Sequence, residues 1–210
     1  MKIHLVVAHS EPRSFNLALH QTAVSYFADK GVETLESDLY RLKFESAASV
    51  DDTPEYESGE LFQLGKAQQW AIENSGFTAS INLEQQKLLD ADVVILQFPL
   101  WWASYPAILK GWIDRVLSSG FAYGSEPLLK PRKVLYSITT GGAKNEEEHQ
   151  YYQQKVEQLY DDVFGYMGWE CLPAFFAHGV EYESFEKRQQ ILKDYTVHLK
   201  SVMSKLADLD

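Results

Sequence analysis

Apolar positions along the chain follow two alternating rhythms. Residues 2–8 form a short β-rich run broken only by His4 and without apolar–polar alternation, which predicts a central strand buried on both faces. From Ser14, a candidate N-cap, Phe15, Ala18, Leu19, Ala23, Tyr26 and Phe27 recur at three- and four-residue spacing until Gly31 stops the pattern. That spacing predicts an amphipathic helix with one face on a sheet. Residues 33–39 read as a second strand, more polar and so nearer an edge. The alternation resumes with a helix over 84–89 and a strand over 92–98, then a helix over 105–117 and a strand over 133–138. A Glu- and Gln-rich helix follows from about 146 to 164, then a strand over 172–177 and a final helix from 185 to about 206. The last carries Leu192, Tyr195, Leu199, Val202 and Leu206 at helical spacing.

Five strands separated by helices imply an α/β fold with a parallel sheet covered on both faces, because parallel strands need long crossovers. Right-handed connections give the strand order 2-1-3-4-5. Residues 41–82 break the rhythm. They hold Asp51, Asp52, Pro54, Gly59 and Gly65 among Phe62, Leu64, Trp70, Ile72 and Phe77, which is too apolar for a disordered linker. We expect one domain over 1–210 in which this elaboration meets a partner surface, a second subunit.

Composition narrows the function. Against 19 Lys and Arg stand 30 Asp and Glu, a formal charge of −11, which repels a phosphate backbone and argues against nucleic-acid binding. Cys171 is the single cysteine, so no internal disulfide forms; a buried structural thiol in a reducing compartment is the expectation. The run over 3–8 is far shorter than a signal sequence and nothing approaches a ~20-residue span, so a cytoplasmic address without membrane insertion is expected. His, Cys, Asp and Glu show no convincing ligand spacing, and no metal is expected. Glu146, Glu147 and Glu148 read as a helix first turn, and Lys110, Asp114 and Arg115 as solvated or structural ion pairs.

The candidate chemistry sits in loops at strand ends, where open α/β sheets bind ligands. The first begins a helix, whose free N–H groups favour an anion, and adds His9, Ser10, Arg13, Ser14 and Asn16 as donors. Neither GxxxxGK[ST] nor GxGxxG occurs, so this is a phosphate site without the usual nucleotide fingerprints. A flavin phosphate is compatible with it. After the third strand, Pro99, Leu100, Trp101 and Trp102 offer an aromatic wall, and after the fourth, Thr139, Thr140, Gly141 and Gly142 offer N–H and hydroxyl donors to the pyrimidine end of an isoalloxazine. Each also has a plainer reading. His9 can satisfy backbone in a tight turn, the two tryptophans can be core aromatics, and Thr-Thr-Gly-Gly can be no more than a turn. Their convergence at one sheet edge favours the ligand reading.

These residues resemble the flavodoxin-fold NAD(P)H:quinone oxidoreductases, the group that includes mammalian DT-diaphorase and bacterial relatives. The resemblance covers most of the chain. It rests on Ala8-His9-Ser10 with Ser14-Phe15-Asn16 and Ala18, on Glu36-Ser37-Asp38-Leu39-Tyr40 and on Glu84-Gln85-Gln86-Lys87-Leu88. It continues through Gln97-Phe98-Pro99-Leu100-Trp101-Trp102, Pro106-Ala107-Ile108-Leu109-Lys110-Gly111-Trp112, Arg115-Val116, Phe121-Ala122-Tyr123 and Ser137-Ile138-Thr139-Thr140-Gly141-Gly142. It implies a flavodoxin-like fold and a homodimer that passes hydride from NAD(P)H through FAD, with FMN as the alternative, to a quinone by a ping-pong cycle. By position, His9, Phe15, Asn16 and Ala18 would hold the diphosphate and adenosine side. Pro99, Leu100, Trp101, Trp102, Thr139, Thr140, Gly141 and Gly142 would hold the isoalloxazine. Trp102 and Tyr123 would reach the substrate, Tyr123 in the pocket of the partner subunit.

Several positions depart from the family. The Tyr and His that follow the glycine pair in mammalian members have no residue at their spacing, because the segment is shorter and reads Ala143-Lys144-Asn145-Glu146-Glu147-Glu148-His149-Gln150-Tyr151. His149 and Tyr151 are the catalytic candidates there. Ser125 replaces a second pocket Tyr and Ala103 a pocket Phe, and the mammalian C-terminal domain is expected to have no counterpart. Two other roles fit the same resemblance: a regulatory subunit of a potassium-efflux system, with a membrane-protein partner, and a flavodoxin-like electron carrier.

Overall fold

The computed structural model describes residues 1–57, 59, 61–143 and 145–207, with side chains through Ser204. Lys144 and the side chain of Leu206 therefore lie outside the described residues. The chain runs β1 (Lys2–Val7), α1 (Phe15–Asp29), β2 (Glu33–Asp38), α2 (Leu64–Asn74), α3 (Ala79–Asp90), β3 (Val93–Pro99), α4 (Ala107–Val116), β4 (Lys133–Thr140), α5 (Glu146–Tyr160), β5 (Glu170–Cys171), β6 (Phe175–His178) and α6 (Phe185–Ala207). The strands pair in parallel in the order β2-β1-β3-β4-β5, with β6 also on β4. Successive residues of each inner strand face opposite sides. Ile3, Leu5, Val93, Ile95 and Leu135 pack under α1 and α6, while Val6, Val94, Leu96, Phe98, Val134, Tyr136 and Ile138 pack under α4 and α5. Both faces are covered, which is why these strands show no polar alternation.

Four expectations need correction, in the fifth strand, two helices and Cys171, and the elaboration gains internal structure. The fifth strand is two short pieces, because Pro173 has no N–H to continue the ladder after Leu172 N donates to Val134 O at 2.8 Å. The helix expected over 84–89 begins at Ala79, and the one expected to reach 164 leaves α geometry at Asp161 for a π turn through Gly165. The elaboration contains α2, whose Ala71 packs with Phe77 and Ile81 in a small core of its own. Cys171 is half-buried rather than buried, and burial pushes its thiol up to about 11.

The elaboration is also clamped to α4. Arg115 donates through Nε and Nη2 to Asp52 Oδ1 at 3.0 and 2.7 Å and through Nη1 to Glu45 O, and its guanidinium lies 4.9 Å from the centroid of Phe44. Beside it, a Cβ on Gly111 would fall 2.1 Å from Ser46 O, so only glycine lets this strap cross the helix. Asp114 instead pairs with Lys110 at the surface, 2.6 Å apart.

One polar knot crosses the apolar face. His4 Nε2 lies 2.9 Å from Ser37 Oγ, which donates to Glu84 at 2.7 Å. Glu84 also accepts from Lys87 Nζ at 2.6 Å and Trp112 Nε1 at 2.9 Å. His4 Nδ1 has no partner among the described residues, and burial, aided by the charge on Lys87, lowers its imidazole to about 3. Unfolded chains bind a proton there from an ordinary value near 6.5, so stability falls as pH drops from ~6.5 toward ~3, by roughly 2 kcal/mol at pH 5. Urea titrations of the wild type and His4→Gln at pH 7 and 5 should show the variant losing about that much less on acidification; equal losses would assign the acid sensitivity elsewhere.

Candidate functional site

The register aligns the carboxyl ends of the central strands: Val7 lies opposite Gln97, Pro99 opposite Thr139, and Thr140 opposite His178. Beyond them opens a cleft of about 550 Å³. Its lining includes His9, Arg13, Ser14, Phe15, Asn16 and Ala18 from the first loop and α1, Pro99, Leu100 and Trp101 from the second, and Thr139, Thr140 and Gly141 from the third. Ser14 caps α1 by accepting from Leu17 N at 3.3 Å. The loops are tied together: Asn16 Nδ2 donates to Thr139 Oγ1 at 2.8 Å, and Leu100 N donates to Thr139 O at 2.8 Å.

The remaining candidates lie elsewhere in this chain. Trp102 and Ala103 have φ of +51° and +54°, at the tip of a turn closed by Ser104 N donating to Trp101 O at 3.0 Å. Left-handed backbone is costly for so bulky a residue. The turn leaves the Trp102 side chain fully exposed, outside the cleft lining, and Trp101 partly exposed, so neither tryptophan is a core aromatic. Gly142 is also outside the lining. Tyr123 lines a second cleft of about 310 Å³ with Leu64, Gln68, Ile113, Tyr166 and Met167. His149 stacks on His178 at 4.6 Å with Nε2 3.3 Å from Ala143 O, and Tyr151 is exposed near Lys155; neither lines the cleft.

The flavodoxin-like fold family matches residues 1–199. The chain belongs to that family. It is 36% identical over 214 residues to ribosyldihydronicotinamide dehydrogenase (quinone) of Rattus norvegicus, covering 96% of this chain and 91% of that protein. It is 34% identical over 208 residues to NAD(P)H dehydrogenase (quinone) 1 of Rattus norvegicus, over 94% of this chain and 76% of that one. A crystal structure described as that of a candidate quinone reductase from Klebsiella pneumoniae superposes with a TM-score of 0.86 at 31% identity, over 96% of this chain and 84% of that one.

In this flavodoxin-like chain the cleft residues fit a flavin. His9 Nδ1 accepts from Glu11 N at 3.0 Å, so the turn-forming role is real, and it leaves the ring proton on Nε2 as a donor. Burial holds the His9 imidazole below its ordinary value, so near neutral pH it offers an N–H rather than a full charge. Asn16 is buried, and among the described residues its Oδ1 has no partner, an acceptor that a ligand hydroxyl can satisfy. Among the described residues a Cβ on Gly141 would meet nothing within 4 Å, which leaves open space for a flat ring beside the third loop. The N-terminus of α1, capped by Ser14, adds backbone N–H groups that favour an anion.

Glu11, Val180, Glu181 and Arg188 also line the cleft, and none was selected from the sequence. The last three follow the final strand, so the rule that chose the loops after strands one, three and four applies to this loop too. Arg13 is paired with Glu11 at 2.9 Å, and the two arginines are matched by two glutamates around the lining. An anion bound here would lean on helix and imidazole N–H groups as much as on net charge.

Proposed function

We propose that this protein is a flavin-dependent NAD(P)H:quinone oxidoreductase, a cytoplasmic homodimer with FAD in the cleft. The observation that carries the reading is the meeting of three loops, each suited to a different part of one flavin, in a single cleft at the carboxyl edge of the sheet. The names of the relatives support it: they are quinone dehydrogenases over most of their length. The bound flavin would supply the two-electron chemistry, taking hydride from NAD(P)H and delivering it to a quinone. The chain's part is to hold the phosphates at His9 and the α1 N-terminus, the ring along Pro99, Leu100 and Trp101, and its polar edge at Thr139, Thr140 and Gly141.

The dimer reading rests on apolar groups left exposed, Leu61 and Trp102 among them. Tyr123 opens into a cleft of its own, which suits a role in the partner subunit's pocket. Among the described residues no helix is long and apolar enough to cross a membrane. No observation in the structure favours the regulatory-subunit or electron-carrier alternatives.

Purified protein should sediment as a dimer and release FAD on denaturation; released FMN would change the cofactor but not the activity. Anaerobic NADH or NADPH should bleach the flavin within seconds, and a quinone should restore the colour. Protein that retains neither flavin, or whose flavin stays oxidised with both nucleotides, would overturn the oxidoreductase reading.

A further inference from the structure

His178 ends β6 opposite Thr140 and does not itself line the cleft. Its Nδ1 lies 2.8 Å from Thr140 Oγ1, and the next residue, Gly179, donates its N–H to Thr140 O at 3.0 Å. Stacking holds the imidazole plane: His149 lies at 4.6 Å and 22°, Phe176 at 5.4 Å and 10°. Gly179 has φ +60°, and a Cβ there would sit 3.6 Å from Gly142 Cα, so the turn after His178 packs on the glycine pair. The end of β6 thus reaches the third loop twice, through the imidazole of His178 and through the backbone of Gly179.

The Thr140 hydroxyl has a single proton and three places to send it. They are His178 Nδ1, Gly142 O at 3.5 Å, and the cleft that Thr140 lines. If Nδ1 is bare, the hydroxyl must donate to it and has nothing left for a ligand. If Nδ1 carries hydrogen, the hydroxyl accepts from the imidazole and its own proton is free. The contact to Gly142 O is at the long limit of a hydrogen bond, so a ligand acceptor at ordinary distance outcompetes it.

We propose that His178 is a positioning residue for bound flavin, donating Nδ1–H to Thr140 Oγ1 so that the Thr140 hydroxyl donates into the cleft to an acceptor on the ring edge. This rests on the flavin reading of the cleft. Burial and the neighbouring His149 hold His178 below its ordinary value, so near neutral pH it has one N–H to place. His149 Nε2 faces the Ala143 carbonyl, which only accepts, so that nitrogen is a donor. A hydroxyl donor at the ring edge binds the electron-richer reduced flavin more tightly than the oxidised form and so raises the potential.

Imidazole ¹⁵N NMR of the flavin-loaded wild type should show His178 protonated at Nδ1 and bare at Nε2; a bare Nδ1 would overturn the inference without any variant. In redox titrations, His178→Phe keeps a stacking ring and loses the donor. It should lower the potential by ~30 mV, a tenfold change in relative affinity for the two flavin forms. Thr140→Val should do the same, and the double variant should fall no further than Thr140→Val alone. His178→Asn, whose amide nitrogen takes the place of Nδ1, should keep the wild-type potential even where stacking loss lowers Tm. A wild-type potential in His178→Phe, or additive shifts in the double variant, would overturn this inference alone. A wild type that binds neither FAD nor FMN would overturn the cleft reading first.

Discussion

Arg115→Leu should destabilise the protein by about 3–5 kcal/mol, the cost of leaving one member of a buried ion pair without its partner. Asp52 and Arg115 are both buried, and the pair forms part of the clamp that joins the strap before α2 to α4. Asp52 Oδ1 accepts both Arg115 contacts, while its Oδ2 accepts a long contact from Ser49 N at 3.4 Å. Removal of the guanidinium therefore strands a buried carboxylate and the carbonyl of Glu45. At roughly 2–4 °C per kcal/mol for a chain of this size, Tm should fall by ~10 °C. Asp52→Ala combined with Arg115→Leu should be more stable than Arg115→Leu alone, because the apolar pair leaves no charge uncompensated. Calorimetry of the two variants decides the matter, and a loss under ~1 kcal/mol in the single variant would mean that the strap is held by other contacts.

Sequence patterning reached the sheet order because it depends on one short-range property: inner strands buried on both faces are continuous apolar runs, and helices between them carry a stripe. It failed where tertiary contacts set the local structure. The strap around Phe44–Asp52 has no periodicity, since a buried ion pair and a glycine-sized gap hold it rather than an apolar face. The break at Pro173 was readable from the missing N–H of proline, yet Leu172 and Phe175–Ala177 look apolar enough to mask it.

At the site, loop position located ten of the cofactor candidates in one cleft, because strand ends converge whatever the side chains are. Direction was not legible. Trp102 stands fully exposed because two successive left-handed residues turn the chain at its own position, and nothing in the tetrapeptide Pro99-Leu100-Trp101-Trp102 announces a non-glycine turn. His178 was invisible for a different reason: its significance comes from a cross-strand partner, Thr140, 38 residues away.

The glycine pair yields the second large effect, and the two glycines are not equivalent. Gly142 has φ +156°, so any side chain there strains the backbone whether or not a ligand binds. Gly141 has no such φ, lines the cleft, and would place a Cβ in open space. Gly141→Val should therefore leave the stability of the flavin-free protein within ~1 kcal/mol, since a Cβ there meets no described atom within 4 Å and the substitution reduces the freedom of the unfolded chain. Its branched side chain would project into the space assigned to the ring, and a rigid planar ligand cannot yield to it as a loop could. Flavin affinity should fall about 100-fold or more, which corresponds to ~2.7 kcal/mol. Gly141→Ala, smaller by two methyl groups, should lie between. Fluorescence titration of the flavin-free variants separates this from misfolding, because the melting temperature is expected to hold while binding collapses. Retained affinity in Gly141→Val would put the ring on another part of the cleft and remove the third loop from its binding site.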